Sequence, residues 1–147
     1  MKDASQRSCI EACGVLVGQM DETGNWYIEQ ALPLRNRANS SVYFEFDPEE
    51  LLAAELSSPG QLVGVYHSHP AGFPVASDID RENMRRVNLE QQIPWVWLII
   101  SGPFDEQFRQ QALEGRMIAY HHYEREGLCE VRIQLEAGAP ETIQEDV

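Results

Sequence analysis

The chain has 147 residues, of which 43% are hydrophobic and 24% are charged, an ordinary composition for a globular protein. This length is enough for one domain with a continuous core, which we expect over residues 1–136, followed by a flexible acidic tail over residues 137–147. The formal net charge of −13 argues against a nucleic-acid partner, because such binding depends on Lys and Arg contacts with phosphates.

The first half of the chain predicts a hairpin and a helix. The apolar residues 12–20 are typical of a buried strand, and the DETGN turn joins them to a second strand at residues 25–32. Asp47 and Pro48 predict the start of a helix that extends to about Leu56. Asp is a favoured N-cap, and proline is tolerated at the first helical position because its missing N–H has no partner there.

Further along, residues 62–66 predict a strand, and Ser77 predicts the start of a second helix that extends to about Gln91. Residues 95–101 are the clearest buried strand, and residues 116–123 and 129–135 predict two later antiparallel strands. Strands mixed with two helices indicate an α/β fold, with a mixed, largely antiparallel sheet sandwiched by helices.

Several features predict a cytoplasmic protein with no membrane partner. The longest apolar run, residues 94–100, is far too short to span a bilayer, and the first ten residues lack the apolar core of a signal peptide. Cys9, Cys13 and Cys129 are too few and too scattered for a disulfide framework.

The run HSHPAGFPVASDID contains the residues of an open metal site. Residues two apart on a strand point to the same face, so His67 and His69 can reach one ion. Asp80 follows Ser77 by three positions, in the first turn of the predicted helix, where its carboxylate can turn toward the imidazoles. Two imidazoles and one carboxylate suit a catalytic zinc ion, whose residual charge lowers the pKa of a bound water to about 7.

Peptide hydrolysis also needs a general base. Glu11 is a candidate because it stands among apolar residues, where partial burial raises the pKa of a carboxyl. Spacing alone does not separate it from the other acidic residues. Each proposed residue also has an ordinary alternative: unremarkable histidines at 67 and 69, an N-cap at Ser77, a helix-dipole contact at Asp80 and a solvated carboxylate at Glu11. Their joint occurrence in register favours the metal site.

The pattern Glu…His-x-His-Pro-(six residues)-Ser-x-x-Asp resembles the JAMM signature of the MPN+ zinc metalloproteases, particularly the small prokaryotic single-domain type. The segments EACGVLVG, LPLRNRA and YFEFDPEELLAA are also similar to that family, so the resemblance covers about residues 9–135. It implies the MPN fold, with its cytidine-deaminase-like layout. Family members usually carry a helix of more than ten residues before the Glu strand, whereas ten residues precede Glu11. We therefore expect a shortened helix or a native start further upstream.

The resemblance implies roles for five residues. His67, His69 and Asp80 would bind Zn²⁺, Glu11 would activate the water, and Ser77 would donate a hydrogen bond to the tetrahedral oxyanion. It implies a peptidase or isopeptidase that cleaves after the C-terminal Gly-Gly of a ubiquitin-like or sulfur-carrier partner. We expect the Gly-Gly tail to lie extended beside the strand at residues 60–66 and the loop at residues 72–76, paired backbone to backbone.

Two other functions are compatible with parts of this pattern. A non-catalytic MPN scaffold is disfavoured because its members usually lack one or more of the ligands, which are complete here. A RadC-like role in DNA metabolism, based on a similar His-x-His-Pro…Ser-x-x-Asp run, is disfavoured by the acidic composition and the EACG strand. The substrate protein, its pathway and the oligomeric state stay open.

The remaining conspicuous residues have structural interpretations. His121 and His122 are adjacent, so on a strand they face opposite sides and do not readily bind one ion. Trp95 and Trp97 are expected in the core, and Cys13 is expected to be a small core residue on the same strand face as Glu11.

Overall fold

The computed structural model describes residues 10–40, 44–70, 72, 74–102 and 113–134. In this part of the chain, six strands form one sheet in the order β2-β1-β3-β4-β5-β6, and all neighbours are antiparallel except β3 and β4. The prediction of a mixed, largely antiparallel sheet is confirmed. The strands are β1 (Cys13–Met20), β2 (Trp26–Leu34), β3 (Leu62–His69), β4 (Val96–Ser101), β5 (Met117–Tyr123) and β6 (Gly127–Val131).

Two α-helices begin at the predicted N-caps. Helix α1 covers Pro48–Ser57, and the Asp47 side chain accepts a hydrogen bond from the Glu49 N–H at 2.9 Å. Helix α2 covers Asp78–Arg85 and is capped by Ser77. A π-helical segment, Arg86–Glu90, continues α2, so that the helical region ends next to Gln91 as predicted. The last described helical turn is a short 3₁₀ helix, Leu113–Arg116.

The parallel pairing of β3 and β4 determines where α2 lies. Parallel neighbours need a crossover connection, and α2 is part of the connection between these two strands. The crossover returns the chain over one face of the sheet, and α2 begins at Asp78, nine positions after the end of β3. In the register of the pair, His67 is opposite Ile99 and His69 is opposite Ser101. Both histidines therefore lie at the carboxyl end of two parallel strands, a common position for ligand sites in α/β sheets.

Buried apolar side chains cover both faces of the sheet. On one face, Ala54 of α1 and Met84 of α2 pack against Val15, Val65 and other residues of the central strands. The opposite face has its own cluster of buried residues, among which are Ala12, Leu16, Tyr66, Leu98, Ile100 and Ala119. The alternation of side chains along each strand produces this division, and it assigns His67 and His69 to the face that carries the helices.

Three further predictions concern the last strand, the acidic tail and membrane-spanning segments. The predicted strand at residues 129–135 is wrong in its bounds, because β6 begins at Gly127 and ends at Val131. Gly127 has a φ of 78°, a value that glycine adopts easily, so the chain reverses within a short turn and re-enters the sheet earlier than predicted. The predicted tail, residues 137–147, lies outside the described residues. Among the described helices, none has the length and apolar character needed to cross a membrane.

Asn88 connects the π-helical segment to the sheet through four hydrogen bonds. Its Nδ2 donates to the carbonyls of Ile93 and Trp95 at 2.8 and 3.1 Å. Its Oδ1 accepts from Trp97 Nε1 and from the His122 N–H, both at 3.0 Å. One amide thus joins the helical region to β4 and β5 at the end of the sheet remote from His67 and His69.

The hairpin between β1 and β2 is organised by Asp21. Its carboxylate accepts hydrogen bonds from the N–H groups of Asn25 and Thr23, each at 2.9 Å, and from the hydroxyls of Thr23 and Tyr27 at 2.7 and 3.0 Å. These bonds, above all the one from the Asn25 backbone, hold the pKa of Asp21 well below its ordinary value of 3.8.

The lowered pKa of Asp21 predicts a specific dependence of stability on pH. A depressed carboxyl pKa contributes stability that is complete above the unfolded-state pKa and is lost as pH falls toward the folded-state pKa. We expect wild type to be more stable than Asp21→Asn above about pH 5, with the difference shrinking below the ordinary value of 3.8. Urea unfolding across this pH range measures the difference in unfolding free energy between wild type and Asp21→Asn. Glu22→Gln is the exposed control. A difference that does not change with pH would contradict the prediction.

Candidate metal centre

The two histidines of the motif meet at the end of β3. His67 and His69 are 1% and 6% exposed, and their Nε2 atoms are 3.1 Å apart. The ring of His67 is stacked on Phe44, with a centroid distance of 4.7 Å and an interplanar angle of 29°. The Nδ1 atom of His67 is buried and has no hydrogen-bond partner among the described residues, so its ring is held by this stacking and by its Nε2 contacts.

Asp80 completes a compact group of three side chains. Its Oδ1 is 3.1 Å from the Nε2 of His67, and its Oδ2 is 2.9 Å from the Nε2 of His69. The carboxylate is oriented by a capping box, in which the Ser77 N–H donates to Asp80 Oδ2 at 2.9 Å and the Asp80 N–H donates to Ser77 Oγ at 3.1 Å. The same two residues therefore start the helix and aim a carboxylate at both imidazoles.

Ser77 serves as the N-cap with its oxygen lone pairs, as the alternative interpretation expected. Since the cap bond is accepted by Oγ, it does not use the hydroxyl hydrogen, and that hydrogen can be donated to another group. The loop before Ser77 is also attached to β5, because the Ala76 N–H donates to the hydroxyl of Tyr120 at 3.3 Å.

Glu11 approaches the same group of side chains from the segment before β1, which pairs with β3 on the side opposite β4. Glu11 is 3% exposed and lies two positions before the first residue of β1. Its Oε1 has no hydrogen-bond partner among the described residues. The pKa of Glu11 is raised to about 8, mainly by burial, with His69 lowering it and Asp80 raising it to smaller extents. Glu11, His67 and His69 form a group that can hold a metal ion, with one potential ligand atom from each lying within 4.8 Å of the others.

Burial and the contacts within the group shift the pKa values of Asp80 and His67. Burial alone would raise the pKa of Asp80, but hydrogen bonds from His67 and His69 and from the Ser77 backbone hold it well below its ordinary range. Burial lowers the pKa of His67 and so favours the neutral imidazole, against the attraction of Asp80. Neutral imidazole and ionised carboxylate are the forms that bind metals.

The donor atoms fit a zinc ion. Ligand atoms about 2.0–2.1 Å from one tetrahedral zinc are roughly 3.3–3.4 Å from one another, close to the 2.9–3.1 Å separations between the two Nε2 atoms and the carboxylate oxygens. Two imidazole lone pairs that face each other at 3.1 Å would repel, and a cation bound by both nitrogens would remove that repulsion. Nitrogen and carboxylate oxygen are also the ligands that zinc prefers.

Comparison with known proteins identifies the family. The family model described as prokaryotic homologs of the JAB domain matches residues 1–114. The chain belongs to this Prok-JAB family. The resemblance inferred from the His-x-His-Pro…Ser-x-x-Asp pattern is thereby confirmed.

Two curated relatives carry the same name. The chain is 37% identical over 97 residues to a desampylase of Pyrococcus furiosus, a match that covers 64% of this chain and 61% of that protein. It is 43% identical over 76 residues to a desampylase of Haloferax volcanii, covering 49% and 52% respectively. The chain thus matches less than two thirds of the length of either relative.

The fold also matches a solved structure. A solution structure of a Desulfitobacterium hafniense protein is similar with a TM-score of 0.66 and 27% identity, and the match covers 92% of this chain and 84% of that one.

One expectation about this Prok-JAB domain is wrong. The strand at residues 60–66 was expected to pair with an extended substrate tail, but β3 lies inside the sheet. Its backbone is in register with β1 between Leu62 and His67 and with β4 between Gly64 and His69. Both sides of β3 are therefore occupied over Gly64–His67, so a further strand cannot pair with the backbone there.

Of the other conspicuous residues, His121 lies at the far end of the sheet from the metal centre, whereas Cys13 lies beside one of the proposed ligands. His121 is bonded to the Trp95 carbonyl at 2.8 Å and packs against the ring of Trp26, at the end of the sheet where β3 and β4 begin. Trp97 is buried, as predicted for a core aromatic, while Trp95 is half-buried. Cys13 is fully buried and lies opposite His67 in the β1–β3 register.

Ser68 supports the site but was not singled out in the sequence. It points away from its two histidine neighbours, and its Oγ accepts a hydrogen bond from the Ala12 N–H at 2.7 Å while its own N–H donates to the Ala12 carbonyl at 2.9 Å. These bonds join the segment that carries Glu11 to the strand that carries the histidines. The alternation of a strand could have indicated that Ser68 faces the opposite side, but its partner could not be read from the sequence.

We expect Ser68→Ala to lower the free energy of unfolding by about 1–3 kcal/mol, because the buried Ala12 N–H loses its acceptor. Urea denaturation measures the change. Ser101→Ala is the matched control, since the Ser101 hydroxyl makes a longer bond of 3.4 Å to the Arg116 carbonyl and should cost less. Equal stability of Ser68→Ala and wild type would contradict this account of Ser68.

Proposed function

We propose that this chain is a zinc-dependent peptidase or isopeptidase that acts in the cytoplasm and hydrolyses the bond after the C-terminal Gly-Gly of a ubiquitin-like or sulfur-carrier protein. The observation that carries the proposal is the convergence of two imidazole Nε2 atoms and one carboxylate beside the buried carboxyl of Glu11. Membership of the Prok-JAB family and the likeness to two proteins named desampylase support a hydrolase of protein conjugates.

The ligands of the proposed zinc ion are His67, His69 and Asp80. Asp80 is preferred to Glu11 as the third ligand because its oxygens contact both imidazoles within 3.1 Å, whereas Glu11 belongs to the looser group of 4.8 Å. Three protein ligands leave one coordination position open, as in catalytic zinc sites. When bound, the ion would supply Lewis acidity and lower the pKa of the attacking water.

Glu11 is the proposed general base. During hydrolysis water attacks the carbonyl carbon, the C–N bond breaks, and the leaving amine must gain a proton. The Glu11 carboxylate can take the proton from the water and deliver it to the amine. Without an ion the pKa of Glu11 is raised to about 8, and the positive charge of a bound dication would favour the ionised form that accepts the proton.

Ser77 is the proposed donor to the oxyanion that forms on the substrate carbonyl. Its hydroxyl hydrogen is not used by the helix cap, and the capping box fixes its backbone next to Asp80. One preorganised donor of this kind contributes about 3 kcal/mol to transition-state stabilisation. A scaffold needs neither the buried carboxyl of Glu11 nor a hydroxyl in this position, and no observation favours the RadC-like alternative.

Zinc binding distinguishes the proposed ligand from the proposed base. Asp80→Ala should weaken zinc binding by more than the roughly 10- to 100-fold that loss of an outer-sphere partner costs. Glu11→Gln should leave the zinc affinity unchanged, and Asp78→Ala, in the same helical turn, is the exposed control. Competition with a chromophoric chelator measures all three affinities. A large loss in Glu11→Gln with none in Asp80→Ala would exchange the two roles.

Turnover tests the reaction itself. A suitable reporter is a ubiquitin-like protein whose C-terminal Gly-Gly is joined to a lysine ε-amine of a dye-labelled peptide. We expect cleavage that a chelator abolishes and added zinc restores. Glu11→Gln should lower kcat by about 10²- to 10⁴-fold, the usual contribution of general acid–base catalysis, while Glu29→Gln on the exposed edge of β2 retains full activity. Cleavage that survives chelation, or a fully active Glu11→Gln variant, would refute the mechanism.

A further inference from the structure

Glu11 lies outside the regular hydrogen-bond ladder of the sheet. Strand β1 starts at Cys13, so the backbone groups of Glu11 need other partners. Its N–H donates to the Ser40 carbonyl at 2.7 Å, and its carbonyl accepts from Asn36 Nδ2 at 3.0 Å. Since Glu11 Oε1 has no partner among the described residues, the described bonds that hold this residue act on its backbone.

Asn36 is the residue that connects these bonds. It is 3% exposed, and its Nδ2 donates to the carbonyls of Glu11 and Ser40 at 3.0 and 3.4 Å. Its Oδ1 accepts from the N–H groups of Ala38 and Glu45, each at 3.0 Å. A side chain that donates twice and accepts twice in this space must be a primary amide, because a carboxylate cannot donate and an apolar side chain satisfies none of the four groups.

The loop that Asn36 organises also contacts a proposed zinc ligand. We call residues 36–40 and 44–46 the Asn36 loop. Its two ends are joined by a bridge between Asn36 and Phe46 and by the bond from the Arg37 N–H to the Glu45 carbonyl at 2.8 Å. Phe44 of the same loop stacks on His67. The loop therefore touches the segment that carries the base and the ring of one ligand, although it belongs to neither strand.

We infer that Asn36 is a positioning residue for the reaction, which fixes the backbone of Glu11 so that its carboxyl stays beside His67 and His69. The inference rests on the proposed function of Glu11 as general base. A displacement of about 1 Å at a reacting group can lower a rate by about 100-fold, so the loss of two donated bonds at the backbone of Glu11 is sufficient to affect turnover.

Asn88 provides a matched comparison for Asn36. Both amides donate two and accept two hydrogen bonds, but those of Asn88 go to Ile93, Trp95, Trp97 and His122. Trp95 contacts the Leu62 carbonyl at the start of β3, and His69 lies seven positions further along the strand, a distance of roughly 23 Å. Loss of either amide should destabilise the fold, and only loss of Asn36 should displace Glu11.

The kinetic experiment compares Asn36→Ala with Asn88→Ala on the diglycine reporter, well below the melting temperature of each variant. We expect Asn36→Ala to lower kcat by about 10- to 100-fold with little change in KM or in zinc affinity. Asn88→Ala should keep kcat within about twofold of wild type. Normal kcat in a folded, zinc-bound Asn36→Ala variant, or an equal loss in both variants, would overturn the inference.

Asn36→Asp is the second variant. It keeps an oxygen that can accept both bonds of Oδ1 and replaces the donating amide with an oxygen that faces the Glu11 and Ser40 carbonyls, so the folded variant should show the same loss in kcat. If neither variant folds, Asn36 serves stability alone and the positioning role is rejected.

Amide hydrogen exchange gives a readout that needs neither zinc nor activity. In the metal-free protein, Asn36→Asp should speed exchange of the Glu11 N–H by about tenfold or more, because the Glu11 carbonyl and the Ser40 carbonyl both lose the hydrogen bond from Asn36 Nδ2. Asn88→Ala should leave that amide protected. Unchanged exchange of the Glu11 N–H in Asn36→Asp would overturn the positioning role, even where wild type cleaves the reporter as proposed. Failure of wild type to cleave the reporter would refute the proposed function instead, so the two failures are distinguishable.

Discussion

The parallel pairing of β3 with β4 is the constraint on which the metal centre depends. It requires a crossover, and α2 within that crossover begins nine positions after the end of β3. The first turn of the helix thereby faces the histidines, and Asp80, three residues after the cap, contacts both of their Nε2 atoms. An antiparallel neighbour joined by a short hairpin would leave no helix over this end of the sheet. The ligand geometry is therefore a consequence of strand direction as much as of residue spacing.

Burial gives the two carboxyls of the site opposite properties. Asp80 accepts hydrogen bonds from both imidazoles and from the Ser77 backbone, so its pKa stays low and it is ionised as a ligand must be. Glu11 is similarly buried, but its Oε1 has no described partner and its pKa is raised to about 8. Two titratable groups with pKa values displaced in opposite directions are a common arrangement for acid–base catalysis. The difference arises from hydrogen bonding, because burial raises the pKa of both.

The sequence predicted the local parts of the site well and the long-range parts poorly. His67, His69, Ser77 and Asp80 lie within fourteen consecutive residues, where strand alternation and helix capping follow from local rules. Glu11 is far away in the chain and could be selected only by family resemblance. The supposed pairing of a substrate tail with β3 was wrong because the strand order, which encloses β3 between β1 and β4, depends on contacts that no local pattern specifies. Asn36 was not identified at all, since its importance depends on the conformation of a loop.

Three polar side chains around the site pair with backbone groups at or next to the end of a helix or strand. Ser77 satisfies an N–H at the start of α2, Ser68 satisfies the N–H of Ala12 just before β1, and Asn36 satisfies the carbonyl of Glu11 one residue earlier. Backbone groups at element ends have no partner within the element and, when buried, must be paired by side chains. Glu11 and Asp80 are attached to such ends, so the bonds that terminate the secondary structure also set the positions of both carboxyls. For this reason a substitution at any of these residues is expected to affect stability and geometry together, and only measurements that separate the two can assign a role in catalysis.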